Sequence, residues 1–302
     1  MASQKTLLSE LRARSAVDCD TLDVEVAQAL GPFVDCTSNQ AIVNIELQKP
    51  KNEPLIIESI QQAKQLYTQY ASEATFEQFA TEVMTNPYNA YSTSATIANA
   101  KRIIAIYKQV LPEHPSNRVC IKIPSTWEGI AACKELEQQG IVTLATTLFS
   151  LEQAAAAHAA GCSYIAPHID NDKGFALTRS CQNFYARIGS KTLVMPASLT
   201  SVEECLRVAG AHHITISPPL LAALAATPSS SSAAPSIFDE SDTAAEAVND
   251  AQLLETVKDE ASYRIRYTRL KNGVQEKKIV DAINIFADCQ DQTEELVVRY
   301  SK

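Results

Sequence analysis

Short runs of β-branched and apolar residues recur along this chain, each followed by a segment with helical spacing. The alternation repeats eight times between Ser15 and Pro218. Strand readings fall at Ser15–Asp20, Phe33–Thr37, Phe79–Met84, Val119–Ile123, Ile141–Phe149, Ser163–His168, Thr192–Ala197 and His213–Ile216. Helical readings fall at 23–30, from Glu53 to Tyr70, from Ser94 to Val110 and at 177–188. In the Glu53–Tyr70 segment Ile56, Ile60, Ala63, Leu66 and Tyr67 keep three-to-four spacing. Capping pairs Ser125/Glu128, Ser150/Gln153 and Ser201/Glu204 open three more helices, closed by Gly140, Gly161 and Gly210. A short helix begins at Pro218. Strict strand–helix alternation argues for a parallel α/β architecture, and eight units favour a closed (β/α)8 TIM barrel over an open doubly wound sheet. No GxGxxG follows any strand, which lowers a dinucleotide-binding reading.

The rest of the chain fits around one barrel domain spanning residues 1–302. Residues 1–14 read as an amphipathic helix capping one end, and 275–300 as a long helix across the barrel. The polar stretch Ser38-Asn39-Gln40 reads as a turn leading to a loop at Lys49–Asn52. Residues 227–245, with the run Ser229–Ser232 and several acids, read as a flexible surface loop inside the domain.

Charge and cysteine usage narrow the function classes. The net charge is −9, and no basic cluster is longer than Lys277-Lys278, so no nucleic-acid partner is expected. No apolar run reaches the roughly 20 residues of a membrane span, and Met1–Ser15 lacks a signal-peptide core. Eight cysteines without a CxxC pair read as reduced core thiols of a cytoplasmic protein. The histidines and cysteines show no metal-ligand spacing, and adjacent His212 and His213 would point to opposite faces of a strand. No metal is expected.

One strand carries a lysine in its middle: Val119-Cys120-Ile121-Lys122-Ile123. Lysines are almost never fully buried without a partner or a task. Burial lowers the amine pKa, and a partly neutral amine adds to carbonyls to form a Schiff base. On an edge strand Lys122 would simply face solvent; a closed barrel has no edge, which weakens that reading.

Side chains at the C-terminal ends of barrel strands line the site. The strand readings place there Asp20, Thr37, Asn39, Glu82, Lys122, Thr146, His168 and Ser198. A lysine, two carboxylates and several hydroxyl or amide groups are the inventory of amine catalysis, with a carboxylate to move protons at the substrate hydroxyl. Each group has an ordinary alternative. Asp20 would serve equally as a helix cap, Glu82 as a solvated loop residue, Thr146 as a strand former and Thr37-Ser38-Asn39 as a turn. The case rests on their convergence.

The segment Ile121-Lys122-Ile123-Pro124-Ser125-Thr126-Trp127-Glu128-Gly129-Ile130, with Thr146-Thr147-Leu148-Phe149-Ser150, resembles the active-site signature of the transaldolases. Asp35-Cys36-Thr37-Ser38-Asn39, Thr81-Glu82-Val83 and Thr215-Ile216-Ser217-Pro218 resemble further family motifs, in register over about residues 5–300. The resemblance implies a (β/α)8 barrel that transfers a dihydroxyacetone-type unit between sugar phosphates, with no metal or organic cofactor. It implies Lys122 as the Schiff-base lysine and Asp20 as the acid/base. It also implies that Glu82 and Thr146 hold the catalytic water and that Asn39 holds a substrate hydroxyl. Dimers are common in the family, so a homodimer is an expected state.

Departures from the family pattern cluster. Leu144 stands where the family has asparagine, Ala166 where it has serine, and His168 where it has an aromatic residue. Asn171 and Thr200 stand at the usual phosphate-binding arginines, while Ser198 beside them remains. Two lost charge-assisted contacts, at about 1.5–3 kcal/mol each, would weaken sugar-phosphate binding by several tenfold steps. Lys173 and Arg179 are the nearby cations that would have to substitute. The expectation is aldol or retro-aldol chemistry through Lys122 on a small carbonyl or sugar lacking phosphate. A housekeeping transaldolase of the pentose phosphate pathway and a catalytically silent barrel used for binding are the alternatives.

Overall fold

The structure is a computed structural model that describes residues 5–69, 75–81, 85–169, 172–229, 235–239 and 249–302. Strand β1 (Ala16–Asp20) pairs in parallel with β2 (Cys36–Thr37) on one side and β7 (His213–Ile216) on the other. A second parallel sheet runs β3 (Ile121–Pro124), β4 (Thr143–Leu148), β5 (Tyr164–Pro167), β6 (Leu193–Val194). Among the described residues there are seven strands in two sheets rather than one closed sheet of eight, and they follow the cyclic order of a (β/α)8 barrel. At the seam between β6 and β7 the Val194 N–H donates to His212 Nδ1 at 3.1 Å. At the other seam the Thr85 hydroxyl donates to the Lys122 carbonyl at 2.8 Å, and the Gln40 amide donates to the Thr85 carbonyl at 3.0 Å.

The strand read at Phe79–Met84 is not borne out over its first half. Phe76–Ala80 is a helix, opened by a Thr75/Gln78 capping box and packed through Phe76 and Phe79 on Tyr67. Local capping there outweighs the β propensity of phenylalanine. Residues 82–84 lie outside the described residues.

Helices α1 (Leu7–Arg12), α2 (Val24–Leu30), α3 (Gln40–Leu47), α4 (Glu53–Tyr67), α5 (Phe76–Ala80) and α6 (Thr93–Val110) precede β3. Then α7 (Trp127–Gln138), α8 (Leu151–Ala160), α9 (Asp172–Ile188), α10 (Val202–Arg207) and α11 (Pro218–Ala226) alternate with the remaining strands. Three more, α12 (Asp250–Thr256), α13 (Glu260–Arg269) and α14 (Val274–Ser301), close the described chain. Helix α1 buries Leu7, Leu8 and Leu11 and meets α11 through the Leu7 N–H and the Thr227 carbonyl, 3.0 Å apart. Helix α14 contacts β4 and the helices α3, α4 and α5, so it does cross the barrel. In the stretch 227–245, Ser236 and Ile237 are buried against the barrel, with the Ser236 hydroxyl donating to the Arg207 carbonyl at 3.1 Å.

Strand alternation sorts the side chains. Ile121 and Ile123, Ala145, Ile165 and Val194 face outward into the core beneath the helices. Val17, Cys19, Ile214 and Ile216 do the same on the other sheet. Leu144, Ala166 and Met195 form a separate small cluster inside the barrel with Tyr164 and Ala197. Lys122 lies in register with Leu144, so it shares this inner level.

Strand β4 breaks its own alternation. Ala145 pairs with Ile165 but Leu148 pairs with Pro167, so β4 carries one residue more than β5 over this interval. The extra residue is a β-bulge. It places Thr147 at φ 52°, a left-handed conformation that β-branched residues avoid. The bulge returns Leu148 to the outer core beside Ala145 while Thr146 keeps the inward direction. Fully buried Gln153 on α8 pins it. Its side-chain amide donates to the Ser125 carbonyl at 3.0 Å and the Thr147 carbonyl at 3.2 Å, and its carbonyl accepts from the Phe149 N–H at 2.8 Å.

The helix caps differ in detail from the sequence reading. Thr126, not Ser125, caps α7, accepting from the Gly129 N–H at 2.9 Å. Ser125 instead donates to the Thr146 carbonyl at 2.7 Å, tying β3 to β4. Ser150 and Ser201 cap α8 and α10. Their partner side chains reach one residue further back, Gln153 to the Phe149 N–H and Glu204 to the Thr200 N–H.

Candidate active site

Three levels of polar side chains stack inside the barrel. At the N-terminal ends of the strands, Asp18 accepts from the Asp35 N–H at 3.0 Å and meets His213 Nδ1 at 2.8 Å. The Arg118 guanidinium donates to Asp35 at 3.1 Å, and the Tyr164 hydroxyl donates to Asp35 at 3.4 Å. Burial pushes the Asp18 carboxyl up, only partly offset by His213. Burial alone would lower His213, but the hydrogen bond and charge of Asp18, with Asp35, outweigh it and raise the imidazole. The pair thus holds a proton between them to higher pH than either would alone. Ligand atoms of Asp18, Asp35 and His213 lie within 4.8 Å of one another. These groups come from β1, β7 and the residue before β2, so no spacing along the sequence pointed to them. Their hydrogen bonds are made to one another, Tyr164 and Arg118.

The middle level holds Asp20, Thr37 and Lys122. Asp20 ends β1 and accepts from the Thr37 hydroxyl at 2.6 Å; Thr37 in turn contacts the Thr215 hydroxyl. Lys122 Nζ donates to the Ser38 carbonyl at 3.3 Å. Burial lowers the Lys122 pKa, and the charge of Asp20 opposes that lowering. Lys122 and Asp20 therefore lie close enough for the carboxylate's charge to act on the amine. Leu144 beside them is buried, as are Ala166 and Met195. Four consecutive facts of sequence and register bring this about: a lysine mid-strand, an aspartate at a strand end, parallel pairing and inward alternation.

The upper level is more open. Thr146 sits just before the bulge, in register with Pro124. The Ser198 hydroxyl and His168 Nδ1 are 3.0 Å apart, and the His168 ring lies 5.3 Å from the Phe149 ring. Ser198 also has a left-handed backbone, φ 68°. Thr147 and Ser198 are two of the four non-glycine residues with positive φ among the described residues, Thr147 near the C-terminal end of β4 and Ser198 in the segment that follows β6. Such strain concentrates at functional sites. Thr200 turns to Glu204, whose carboxylate accepts from its N–H at 2.6 Å and its hydroxyl at 2.9 Å. Asn39 caps α3, accepting from the Ile42 N–H at 3.0 Å; the sequence reading saw a turn and loop there and missed the helix. The Arg179 guanidinium donates to the Ile237 carbonyl at 3.3 Å. Glu82 and Asn171 lie outside the described residues.

A parallel α/β barrel with a buried lysine near a carboxylate fits an enzyme of the aldolase and transaldolase type. Comparison with known proteins agrees. Residues 17–288 match the family model for transaldolase/fructose-6-phosphate aldolase. A transaldolase of Nostoc sp. is 31% identical over 262 residues, covering 74% of this chain and 77% of the relative. A transaldolase of Prochlorococcus marinus is 31% identical over 253 residues, covering 72% of this chain and 75% of the relative. The chain belongs to the transaldolase family, and its architecture is that family's (β/α)8 barrel. Among the described residues no helix is long and apolar enough to cross a membrane.

Proposed function

We propose that Lys122 forms a Schiff base with a carbonyl substrate and that Asp20 moves protons at the substrate hydroxyl during C–C bond cleavage or formation. The observation carrying this reading is the Lys122 amine held inside the barrel, where burial lowers its pKa within reach of the charge of Asp20. A lowered pKa raises the fraction of free amine, and the nearby carboxylate would serve as proton donor and acceptor. Thr146, with Glu82, would hold the water that hydrolyses the imine. Asn39, Thr37 and Ser198 would contact substrate hydroxyls, with His168 at the rim.

The substrate we infer is a carbonyl compound without phosphate. Leu144 and Ala166 offer no hydrogen bond where a polyhydroxy substrate would need one. Thr200 is committed to a carboxylate, which repels a phosphate dianion rather than gripping it. The relatives' names favour the alternative, a transaldolase acting on sugar phosphates.

Intact mass after borohydride reduction tests both. Fructose 6-phosphate, fructose and dihydroxyacetone are offered separately to wild type and to Lys122→Ala. An adduct in wild type that disappears in Lys122→Ala supports the imine. Trapping with unphosphorylated carbonyls only supports the substrate reading; efficient trapping with fructose 6-phosphate overturns it.

A further inference from the structure

Two cysteines stand side by side behind Asp20. Strands β1 and β2 pair in parallel, with Cys19 opposite Cys36 and Asp20 opposite Thr37. The Cys19 N–H donates to the Asp35 carbonyl at 3.1 Å, which fixes that register. Successive side chains alternate between the two faces of a strand. Asp20 and Thr37 meet on the inner face through their 2.6 Å hydrogen bond. Cys19 and Cys36 therefore share the outer face, where Cys19 belongs to the buried core. Paired strands run about 4.8 Å apart, inside the range of about 4.4–6.8 Å that a disulfide spans between Cα atoms. The Cys36 thiol donates to the Thr21 carbonyl at 3.4 Å, so its side chain leans toward the end of β1. The two thiols differ in access. Cys36 is exposed and lines a cavity of about 600 Å³ that also reaches Lys122, with the polar Thr21, Asp35, Thr37 and Ser38 beside it. Cys19 is fully buried. Interaction with the Cys19 thiol holds the Cys36 pKa down to about 7, so the nucleophilic thiolate is present at neutral pH. A second interacting pair, Cys133 and Cys162, is buried at both members and offers an oxidant no such entry.

We propose that Cys36 and Cys19 are a redox pair: a peroxide entering the cavity is reduced at Cys36, and Cys19 then closes a disulfide that ties β1 to β2 behind Asp20 and Thr37. In the first step the Cys36 sulfur bonds to one peroxide oxygen. The O–O bond breaks, and the leaving hydroxide takes up a proton as water, so Cys36 becomes a sulfenic acid. In the second step the Cys19 sulfur gives up its proton and bonds to the Cys36 sulfur. The S–O bond breaks and a second water leaves. Two thiols lose two electrons in all, and one peroxide becomes two waters. The effect on the chemistry rests on the reading of Lys122 and Asp20 as the reacting pair. A disulfide draws its Cβ atoms to about 3.8 Å. Drawing the outer face together turns Asp20 and Thr37 apart on the inner face. A displacement of about 1 Å at a reacting group costs on the order of a hundredfold in rate.

The test treats the full chain with hydrogen peroxide, removes the peroxide and maps disulfides by peptide mass without reduction. Wild type should yield a Cys19–Cys36 peptide that dithiothreitol abolishes. Cys19→Ala should instead keep a sulfenic acid at Cys36, captured by dimedone. The second readout is the rate of imine trapping with dihydroxyacetone and cyanoborohydride, a reductant that spares disulfides. Trapping should fall at least about tenfold in oxidised wild type and recover with dithiothreitol. Cys36→Ser, changed at an exposed position, should trap at the same rate before and after peroxide. Absence of the Cys19–Cys36 peptide, or a bridge from Cys36 to Cys120 in its place, overturns the proposal. A mapped bridge with unchanged trapping overturns its coupling to the site and leaves the imine reading standing. If reduced wild type traps no dihydroxyacetone, the imine reading fails for that substrate, and the mapped bridge alone decides the redox pair.

Discussion

Replacing Gln153 by methionine removes a single amide that holds the site's unusual backbone in place. The two side chains are similar in volume, so the outer core keeps its packing. Three bonds are lost: from the amide to the Ser125 and Thr147 carbonyls, and from the Phe149 N–H to the side-chain carbonyl. Gln153 is fully buried, so water does not replace it. Leaving a buried backbone group unpaired costs about 1–3 kcal/mol. Three such groups, partly relieved by relaxation, make a loss of about 3–6 kcal/mol. The assay is equilibrium urea unfolding of both proteins, extrapolated linearly to water. The second readout is imine trapping at Lys122. The Thr147 kink is held against its own backbone preference, so its release should lower trapping more than the stability loss alone explains. A loss below about 1 kcal/mol would refute the reasoning, since it would mean the bulge holds itself.

Three further outcomes are expected. Gly129→Ala should destabilise by about 3 kcal/mol or more in the same assay, because its Cβ would sit 2.1 Å from the Pro124 carbonyl oxygen. Lys122→Met should be more stable than wild type at neutral pH. Burial lowers the folded-state pKa of Lys122, so between that value and the unfolded value of 10.5 the unfolded chain binds more protons. Wild-type stability therefore rises with pH in that window, and the advantage of Lys122→Met should shrink toward 10.5. Urea midpoints at several alkaline pH values check the sign. Cys36 should be the first thiol alkylated by iodoacetamide near neutral pH, read by peptide mass. It is exposed, and interaction with the neighbouring Cys19 thiol holds its pKa below the ordinary thiol value, whereas burial raises that of Cys120.

Much of the fold was legible because its signals are local. Period-two runs marked β1, β3, β4, β5 and β7, and Ser or Thr before an apolar stretch marked the helix starts. Helices α12 and α13 escaped because their apolar faces are thin. Only Leu253 is buried on α12, and Tyr263 and Tyr267 on α13, where Tyr263 packs on Trp127 at 5.1 Å. The α5 segment was misread because phenylalanine favours strands and the Thr75/Gln78 cap was not weighed. Lys122 and Asp20 were picked out by a charged residue in an apolar run and at a strand end.

What the sequence determined by itself was the family and most of the alternation of strands and helices, because alternation and capping act within a few residues. What only the tertiary structure decided was contact between distant strands. The Asp18–His213 pair joins β1 to β7, and the Thr147 bulge is held by α8. The cavity beside Lys122 is lined by segments between Thr21 and Met195. No local pattern carries such information, since burial and low dielectric arise only when the barrel closes around them.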